Sequence, residues 1–263
     1  MRTALALGLA AVVSVSAVSK QTSSKSAGTS IPKGYLAEPA REDSLQLSPP
    51  PPAPASVAEA RDIESSQSAL RLRGSARWAL ATADADLFKP TSGNALSCAA
   101  GIEISEDLTP KLNTVLRRTA VDLGQSTSLI KNRYKRPRPF MINNEASCTP
   151  DAEPGLRLNG AYPSGHSAIG YGWGLILAEL LPDRANQIVA RGRAFGDSRR
   201  VCNVHWLSDV EEGRIVAAAA VARLHSDPAF RKDMDAARLE IAKSRTSPTR
   251  DCAAEAAALA LSN

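Results

Sequence analysis

The sequence predicts an all-α fold, a single soluble domain built as a helical bundle, and three observations support this prediction. From Val57 onward, Ala, Leu, Arg and Glu recur at spacings of three and four residues, which is the period of an amphipathic helix. Alternating runs of β-branched residues, which would indicate strands, are very few. With 263 residues, of which 43% are hydrophobic and 22% charged, the chain is long enough to bury a core.

Residues 1–17 have the pattern of a secretory signal peptide. Arg2 precedes an apolar stretch that begins at Ala4, and Val15-Ser16-Ala17 offers a small-residue cleavage site. A membrane anchor is the alternative, but this apolar stretch is short for a bilayer span of roughly 20 residues. We therefore expect export with cleavage, which places the mature protein in the periplasm.

Residues 18–55 are predicted to form a linker or an extended arm that lies on the domain. Ser, Lys, Thr and Gly are frequent from Ser19 to Gly34, and a proline run follows from Pro49 to Pro52. Proline at this density stiffens the chain and excludes helix. The domain itself is assigned to residues 56–245, and residues 246–263 form an Ala-rich tail.

Helix start and stop signals divide the domain further. Thr109-Pro110 is typical of an N-cap followed by proline at the first helical position, and the periodic stretch behind it continues toward Tyr134. The segment from Ser164 to Leu180 is apolar on most faces, so this helix should be central. Three further helices are predicted: from Asp183, as N-cap, through Phe195; from about Val204 to Leu224; and from Asp227-Pro228 toward Ala242.

Neither of the two most apolar predicted helices is suited to cross a bilayer. Glu179 interrupts the segment after Ser164, and Arg223 interrupts the one after Ile215. We therefore expect no stable membrane insertion of the mature domain.

The chain is basic, with a formal charge of +5 and a pI of about 9.2. A basic surface attracts nucleic acid, anionic membranes or small anions without distinguishing them. Only 4% of the residues are aromatic, and they are not interleaved with basic residues as a single-strand binding surface requires. Nucleic acid is therefore not an expected partner.

The four cysteines are even in number, and none forms the C-x-x-C pair of a zinc or redox site. In an oxidising compartment they would form two disulfides, for which the sequence alone allows three connectivities. We favour Cys148 with Cys202, because both flank the motifs described below. Cys98 would then pair with Cys252 and tie down the carboxyl-terminal tail.

Three short blocks combine anion-binding groups with groups able to transfer protons or attack phosphorus. They are Lys131 followed after six residues by Arg138-Pro139; Pro163-Ser164-Gly165-His166; and Ser198-Arg199 followed by His205 and Asp209. Lys131, Arg138 and Arg199 are fixed cations, and an arginine can hold two phosphoryl oxygens at once. Ser164 and the backbone N–H of Gly165 lie where a helix should begin, which is a ready anion site.

The histidines can supply the chemistry. His205 and Asp209 are four residues apart, so on a helix they share one face, and the carboxylate can hold one imidazole nitrogen protonated while the other stays free to attack. Taken alone, this is equally an ordinary surface pair, and the block that ends at His166 is equally a turn before a capped helix. Two of only three histidines fall in these blocks, which favours the catalytic interpretation. The third, His225, is expected to be solvated or to cap its helix.

The basic residues around the first block have a simpler explanation as well. A dense run such as the one from Lys131 to Arg138 is more typical of a solvated face or a polyanion patch than of an active site. The other two blocks change this interpretation for its first and last members. We assign Arg133, Lys135 and Arg136 to the surface, where they would steer anions electrostatically.

Together the blocks resemble K-x6-R-P, P-S-G-H and S-R-x5-H-x3-D, the tripartite signature of the superfamily that contains bacterial non-specific acid phosphatases, lipid phosphate phosphatases and vanadium haloperoxidases. The sequence Gly-Ala-Tyr-Pro-Ser-Gly-His-Ser at 160–167 is similar to the G-S-Y-P-S-G-H-T of class A bacterial acid phosphatases. It departs from that pattern at Ala161 and Ser167, where small residues are kept. The resemblance extends from the proline run near Pro49 to about Ala242.

This resemblance implies a helical bundle of the PAP2 and vanadium haloperoxidase type and a secreted phosphomonoester hydrolase. His205 would be the nucleophile that forms a phosphohistidine, Asp209 its partner, and His166 the general acid that protonates the leaving alcohol. The phosphate-binding residues would be Lys131, Arg138, Ser164, Gly165 and Arg199. No metal and no cofactor are implied, the expected partners are small phosphomonoesters, and a homo-oligomer is expected from the relatives.

An acidic pH optimum follows from these roles. His166 has to be charged while His205 is not, and an ordinary histidine pKa near 6.5 allows this division in a mildly acidic medium.

Three other functions share parts of this pattern. A vanadium haloperoxidase uses the same pocket because vanadate mimics phosphate, but the class A flanking sequence and the modest length count against it. A phosphate- or polyanion-binding protein without turnover would be expected to lack His205, His166 or Asp209, and all three are present. A lipid phosphatase embedded in a membrane is disfavoured by the missing spans, although lipid phosphates stay open as substrates.

Overall fold

The computed structural model describes residues 32–37, 44–87, 92–244 and 246–261, and within these ranges the regular structure is helical without a strand. The signal-peptide prediction for residues 1–17 falls outside them. The α-helices in chain order are α1 (Ser44–Leu47), α2 (Val57–Leu70), α3 (Ala76–Ala83), α4 (Ser97–Ala100), α5 (Pro110–Gln125), α6 (Ser128–Tyr134), α7 (Pro139–Asn143), α8 (Glu153–Arg157), α9 (Gly165–Leu180), α10 (Ala185–Val201), α11 (Leu207–Leu224), α12 (Pro228–Ile241) and α13 (Cys252–Ala260). Within the same ranges, 3₁₀ turns cover Ser92–Leu96, Pro150–Ala152 and Pro182–Arg184.

Helix α9 lies at the centre of the bundle, as its apolar sequence predicts. Trp173, Ile176 and Leu177 are almost completely buried, and α9 packs against α10, α11 and α5. Its contact with α10 is unusually close because small residues face each other. A methyl group at Gly192 would lie only 2.6 Å from the backbone oxygen of Gly170, so this crossing requires glycine.

The predicted helix from Thr109 to Tyr134 is divided in two. Ser126 Oγ donates a hydrogen bond to the carbonyl of Leu123, and Thr127 Oγ1 donates one to that of Gly124. These hydroxyls help to satisfy carbonyls at the end of α5, where the carbonyl of Gly124 also accepts from the amide of Thr127, and such local bonds favour termination. The chain turns there and α6 begins.

Thr109 is the N-cap residue of α5 and Pro110 its first residue, as predicted, whereas Asp183 is not an N-cap. Thr109 makes no side-chain cap; instead the carboxylate of Glu240 in α12 accepts from the amides of Lys111 and Leu112, at 2.9–3.1 Å. Asp183 lies inside a 3₁₀ turn, and α10 starts only at Ala185. Asp227 accepts from the amide of Phe230 at 2.9 Å and caps α12 as predicted.

The described parts of residues 18–55 lie against the domain. Tyr35 and Leu36 are buried, and their backbone amides donate to the carboxylate of Asp122 at 2.7 and 3.0 Å. Further along, the carbonyl of Pro49 accepts from the hydroxyl of Tyr162 at 2.9 Å. This second contact brings the proline run next to the Pro-Ser-Gly-His block.

Both favoured cysteine pairings are present in the structure. Cys148 and Cys202 are bonded with their Cα atoms 4.7 Å apart, and Cys98 and Cys252 with theirs 5.4 Å apart. The second disulfide attaches α13, whose buried Glu255 accepts from Arg191 at 3.1 Å. None of the described helices combines the length and the apolar character that a membrane span needs.

Candidate active site

Lys131 enters the site from the last turn of α6. Its ammonium group donates to the carbonyls of Gly160 and Ala161 at 2.7 and 3.3 Å. Gly160 allows this approach, because a methyl group there would lie 2.7 Å from the backbone oxygen of Lys131. Burial, assisted by the nearby Arg138, lowers the pKa of Lys131 to about 7.

Arg138 precedes α7 and is held by backbone carbonyls. Its Nε donates to Leu156 O at 2.9 Å, and its Nη1 donates to Val204 O at 3.0 Å and lies 3.1 Å from Nε2 of His205. Burial lowers the pKa of Arg138 to about 10, so the side chain stays charged at neutral pH. This guanidinium therefore lies directly beside the predicted nucleophile.

Arg199, near the end of α10, is 2% exposed, and its Nε and Nη1 atoms have no hydrogen-bond partner among the described residues. Burial, with the charge of Arg138 as a further cause, lowers its pKa to about 9. A buried donor without a partner costs about 1–3 kcal/mol, and more for a charged group. An anion bound beside Arg199 would remove this cost.

His205 lies ahead of α11 and not on it, which corrects the prediction of a helix from about Val204. The amides of Val204 and His205 both donate to the carbonyl of Arg199, at 3.1 and 3.2 Å, and this holds the segment in a turn. The predicted contact with Asp209 still forms, because Asp209 belongs to the first turn of α11. Its Oδ2 lies 3.2 Å from His205 Nδ1 and accepts from the amide of Trp206 at 2.8 Å.

The neighbours of His205 define its tautomer. Arg138 can only donate, so Nε2 of His205 has to be the accepting nitrogen with the free electron pair. Nδ1 therefore carries the proton and donates a hydrogen bond to Asp209. Burial lowers the pKa of His205 well below its ordinary value, and the cations Arg138, Lys131 and Arg199 lower it further. The unliganded protein thus holds His205 neutral, in the form of a nucleophile.

The Pro-Ser-Gly-His block forms the start of α9. Ser164 is the N-cap, and its Oγ accepts from the amide of Ser167 at 3.2 Å. Gly165 is the first helical residue, so its N–H has no partner within the helix. The block therefore forms a helix N-terminus, a position that favours anion binding.

His166 is held by a carbonyl from the loop after α3. Its Nε2 lies 2.9 Å from Ala85 O, and since a carbonyl only accepts, Nε2 carries a proton. Burial lowers the pKa of His166 well below its ordinary value, with Arg199 as the next cause. The nitrogen available for a second proton is therefore Nδ1.

Comparisons with known proteins identify the family of this chain. Residues 112–233 match the PAP2 superfamily, a range that contains every predicted site residue. The chain is 43% identical over 205 residues to an acid phosphatase of Zymomonas mobilis, covering 78% of each protein. It is 40% identical to a non-specific acid phosphatase of Providencia stuartii, covering 80% of this chain and 85% of that one, and 39% identical to one of Salmonella typhimurium, covering 73% and 78%.

The chain belongs to the acid phosphatases of the PAP2 superfamily. The family resemblance and the helical PAP2 fold expected from the sequence are thereby confirmed.

In this PAP2 domain one basic residue was misassigned. Arg136 is not a surface residue: its side chain is 10% exposed and lies between the carboxylates of Asp62 and Asp209. Arg133 and Lys135 are exposed, as predicted. The sequence does carry a signal that separates Arg136 from these two residues. Pro137 and the following proline exclude helix, and alternate residues of an extended segment point to the same side. Arg136 is therefore expected on the same side of the segment as Arg138.

The sequence analysis also missed Asp84, an acidic residue behind the PAP2 site. Asp84 accepts from Ser198 Oγ at 2.7 Å and from Arg191 at 2.7 and 3.1 Å. Its neighbour Ala85 holds His166. Asp84 thereby connects the loop that positions His166 with the serine that precedes Arg199. The sequence carries no local signal for this connection, because Asp84 lies more than 100 residues from its partners.

Proposed function

We propose that this chain is an exported, metal-independent acid phosphatase that hydrolyses phosphomonoesters to an alcohol and inorganic phosphate through a phosphohistidine at His205. The observation that carries the proposal is the pairing of two features. His205 presents a free electron pair at Nε2, and the adjacent Arg199 keeps two buried N–H donors without a partner. A nucleophile beside unsatisfied cationic donors suits a phosphoryl group.

Substrate binding prepares both histidines. The phosphate dianion lies among Lys131, Arg138 and Arg199, and the N–H of Gly165 and the N-cap Ser164 add donors at the start of α9. Its negative charge offsets the cations that lower the pKa of each histidine in the free protein. The pKa of His166 therefore rises on binding, and His166 takes up the proton that general acid catalysis requires.

In the first step the electron pair of His205 Nε2 attacks phosphorus. The N–P bond forms, the bond from phosphorus to the alcohol oxygen breaks, and that oxygen takes a proton from His166. The Nδ1 proton of His205 stays on that nitrogen and is hydrogen-bonded to Asp209, whose charge stabilises the cationic phosphohistidine. Phosphoryl oxygens replace the Nε2 electron pair as the acceptor for Arg138.

In the second step water attacks the phosphohistidine. His166, now neutral, accepts a proton from the water as the new P–O bond forms. The N–P bond breaks, its electron pair returns to Nε2, and inorganic phosphate leaves. Alcohols that take the place of water would give phosphotransfer by the same step.

Three cations perform the work that divalent ions do in many phosphatases. Lys131, Arg138 and Arg199 surround the proposed phosphate position from separate elements, and charge stabilisation by fixed donors needs no metal. Within the described ranges no three His, Cys, Asp or Glu side chains are grouped to hold a metal ion. Export to the periplasm is supported by the signal-like amino terminus and by the two disulfides, which persist in oxidising compartments.

The test is hydrolysis of p-nitrophenyl phosphate with EDTA from about pH 4 to about pH 9, a range around the ordinary histidine pKa. We expect acid-favoured, EDTA-resistant activity that is lost in His205→Ala. His225→Ala is the matched control, since His225 pairs with Glu179 on the surface and should keep full activity. Rapid quenching with labelled substrate should trap an alkali-stable, acid-labile phosphoprotein in wild type only. An inactive wild type would refute the function, and an active His205→Ala the nucleophile.

A further inference from the structure

A buried ion network lies behind the proposed nucleophile and reaches α2, outside the three sequence blocks. We propose that Arg136 and Asp62 are positioning residues that hold Asp209 ionised and oriented toward His205. This inference rests on the proposed function, because it concerns how that reaction's nucleophile is supported.

Arg136 contacts the oxygen of Asp209 that His205 does not use. Its Nη1 donates to Asp209 Oδ1 at 2.6 Å, whereas Oδ2 accepts from His205 and from the amide of Trp206. Among the described residues, Arg136 alone donates to Oδ1. The carboxylate is thus held from both ends, which fixes the rotation of its plane relative to the imidazole.

Asp62 in turn fixes Arg136. It is 2% exposed and accepts Nη2 of Arg136 at 2.7 Å. Its two oxygens also accept from the amide and the hydroxyl of Ser208, at 2.8 and 2.6 Å, while that hydroxyl accepts from Nη1 of Arg136 at 2.8 Å. Both oxygens of Asp62, both Nη atoms of Arg136 and the hydroxyl of Ser208 have partners at this junction, so the guanidinium has one well-defined position.

The charge of Arg136 matters because Asp209 is completely buried. Burial raises the pKa of Asp209 above its ordinary value, and Arg136 is the largest influence in the opposite direction. A protonated Asp209 would no longer stabilise a positive charge on His205. The charged or titratable groups that face Asp209 from the surrounding elements are His205, Arg136, Lys131, Arg138 and Tyr162, with Asp62 beyond Arg136.

The geometry predicts a specific kinetic effect. Arg136 does not touch the proposed phosphate position, so its loss should lower kcat with little change in KM. Residues that orient the histidines and carboxylates of metal sites typically contribute about 10- to 100-fold to activity, and we expect the loss of kcat in Arg136→Met to be similar, because Arg136 orients Asp209 in the same way. The pKa of Asp209 would rise, so the acidic limb of the kcat/KM profile should move to higher pH. A merely structural residue would change stability without moving this limb.

The experiment compares complete pH profiles and thermal unfolding of wild type, Arg136→Met, Arg136→Lys, Asp62→Asn and the control Arg133→Met. Arg133 is exposed and three residues away, and its substitution should leave kcat and the pH of the acidic limb unchanged. Arg136→Lys keeps the cation and should recover part of the lost kcat and return the acidic limb toward wild type. Asp62→Asn keeps the shape of the side chain and should give an intermediate loss.

The possible outcomes distinguish a failure of this inference from a failure of the proposed function on which it rests. A wild-type acidic limb in Arg136→Met, or a loss of kcat that is uniform across pH, overturns the positioning role while leaving the phosphatase intact. If Arg136→Met does not unfold cooperatively, Arg136→Lys and Asp62→Asn decide by the same criterion. An inactive wild type or an active His205→Ala instead refutes the proposed function itself.

Discussion

The backbone amide of Ser164 donates a hydrogen bond of 2.8 Å to the backbone carbonyl of Asp209. This bond joins the Pro-Ser-Gly-His block at the start of α9 to the first turn of α11. The proposed anion site at the helix N-terminus and the carboxylate behind His205 are therefore fixed relative to each other by main chain. Side-chain motion alone cannot change their separation, which suits a site that has to be preorganised.

Gly213→Ala is expected to disturb this junction. A methyl group at Gly213 in α11 would lie 2.5 Å from the backbone oxygen of Ser164, so the two helices would have to separate. Overpacking of this kind costs about 1–3 kcal/mol of stability. We expect a lower melting temperature together with a lower kcat/KM for p-nitrophenyl phosphate.

Gly155→Ala in α8 is the matched control, because a methyl group there meets no atom within 4 Å. It should keep wild-type kinetics and stability. If Gly213→Ala behaves like Gly155→Ala, the close contact between α9 and α11 does not limit the site.

Lys131 should make substrate binding sensitive to pH near neutrality. Its pKa is lowered to about 7, so the free enzyme loses this cation as the pH rises through that value. We expect KM to increase on the alkaline side, and Lys131→Met to raise KM by about 10- to 100-fold at acidic pH, the value of one charge-assisted hydrogen bond. The ratio of KM between variant and wild type should fall above about pH 7. The titration of the substrate is common to both proteins and cancels in this ratio, so a constant ratio would contradict the assignment.

The same group contributes to stability in a defined direction. The pKa of Lys131 is 10.5 when unfolded and about 7 when folded, so between these values the unfolded state binds more protons. The free energy of unfolding from this group therefore increases with pH across that window and is constant below it. Urea unfolding across this pH window measures the difference in the free energy of unfolding between Lys131→Met and wild type. This difference should shrink as the pH rises.

The sequence predicts most of what depends on local pattern. The central position of α9, the Asp227 cap and the three site blocks follow from periodicity, capping chemistry and motif spacing. The start of α11 does not, because the turn before it is held by the carbonyl of Arg199 and by the carboxylate of Asp209. These contacts override the helical pattern that continues back to Val204.

Long-range partners account for the remaining errors. Arg136 reads as one more exposed cation in a basic run. Its spacing from Arg138 indicates the side on which it lies, but not its buried partner Asp62, 74 residues away. The cap of α5 likewise comes from Glu240, 128 residues beyond Leu112. A sequence shows the charge of such residues but not the partner that brings them into the interior.

His166 should affect leaving groups unequally. Loss of a general acid costs about 10²–10⁴-fold when the leaving oxygen has to be protonated, but p-nitrophenolate leaves without a proton. His166→Ala should therefore lower single-turnover hydrolysis of an alkyl phosphate far more than that of p-nitrophenyl phosphate. His166 is also the proposed base for the second step, so His166→Ala should hydrolyse its phosphohistidine slowly. With p-nitrophenyl phosphate this variant should therefore give a burst of p-nitrophenolate and accumulate the phosphohistidine. Equal losses on both substrates without a burst would contradict both roles.

Both disulfides should contribute to stability, but only Cys148–Cys202 should also affect kcat. In the chain-entropy account, removing Cys148–Cys202, which closes 54 residues, costs about 4 kcal/mol, and removing Cys98–Cys252, which closes 154, about 5 kcal/mol. Cys202 lies three residues before His205, and its carbonyl accepts from the amide of Cys148 at 3.1 Å.

Replacing Cys148 and Cys202 with alanine should therefore lower kcat as well as the melting temperature. Cys98 and Cys252 tie α4 to α13, which contribute no proposed site residue, so alanines there should lower the melting temperature while kcat, measured well below it, is retained. A selective loss of kcat in the second variant would mean that α13 acts on the site through Glu255 and Arg191, whose ion pair ends at Asp84 beside the carbonyl that holds His166.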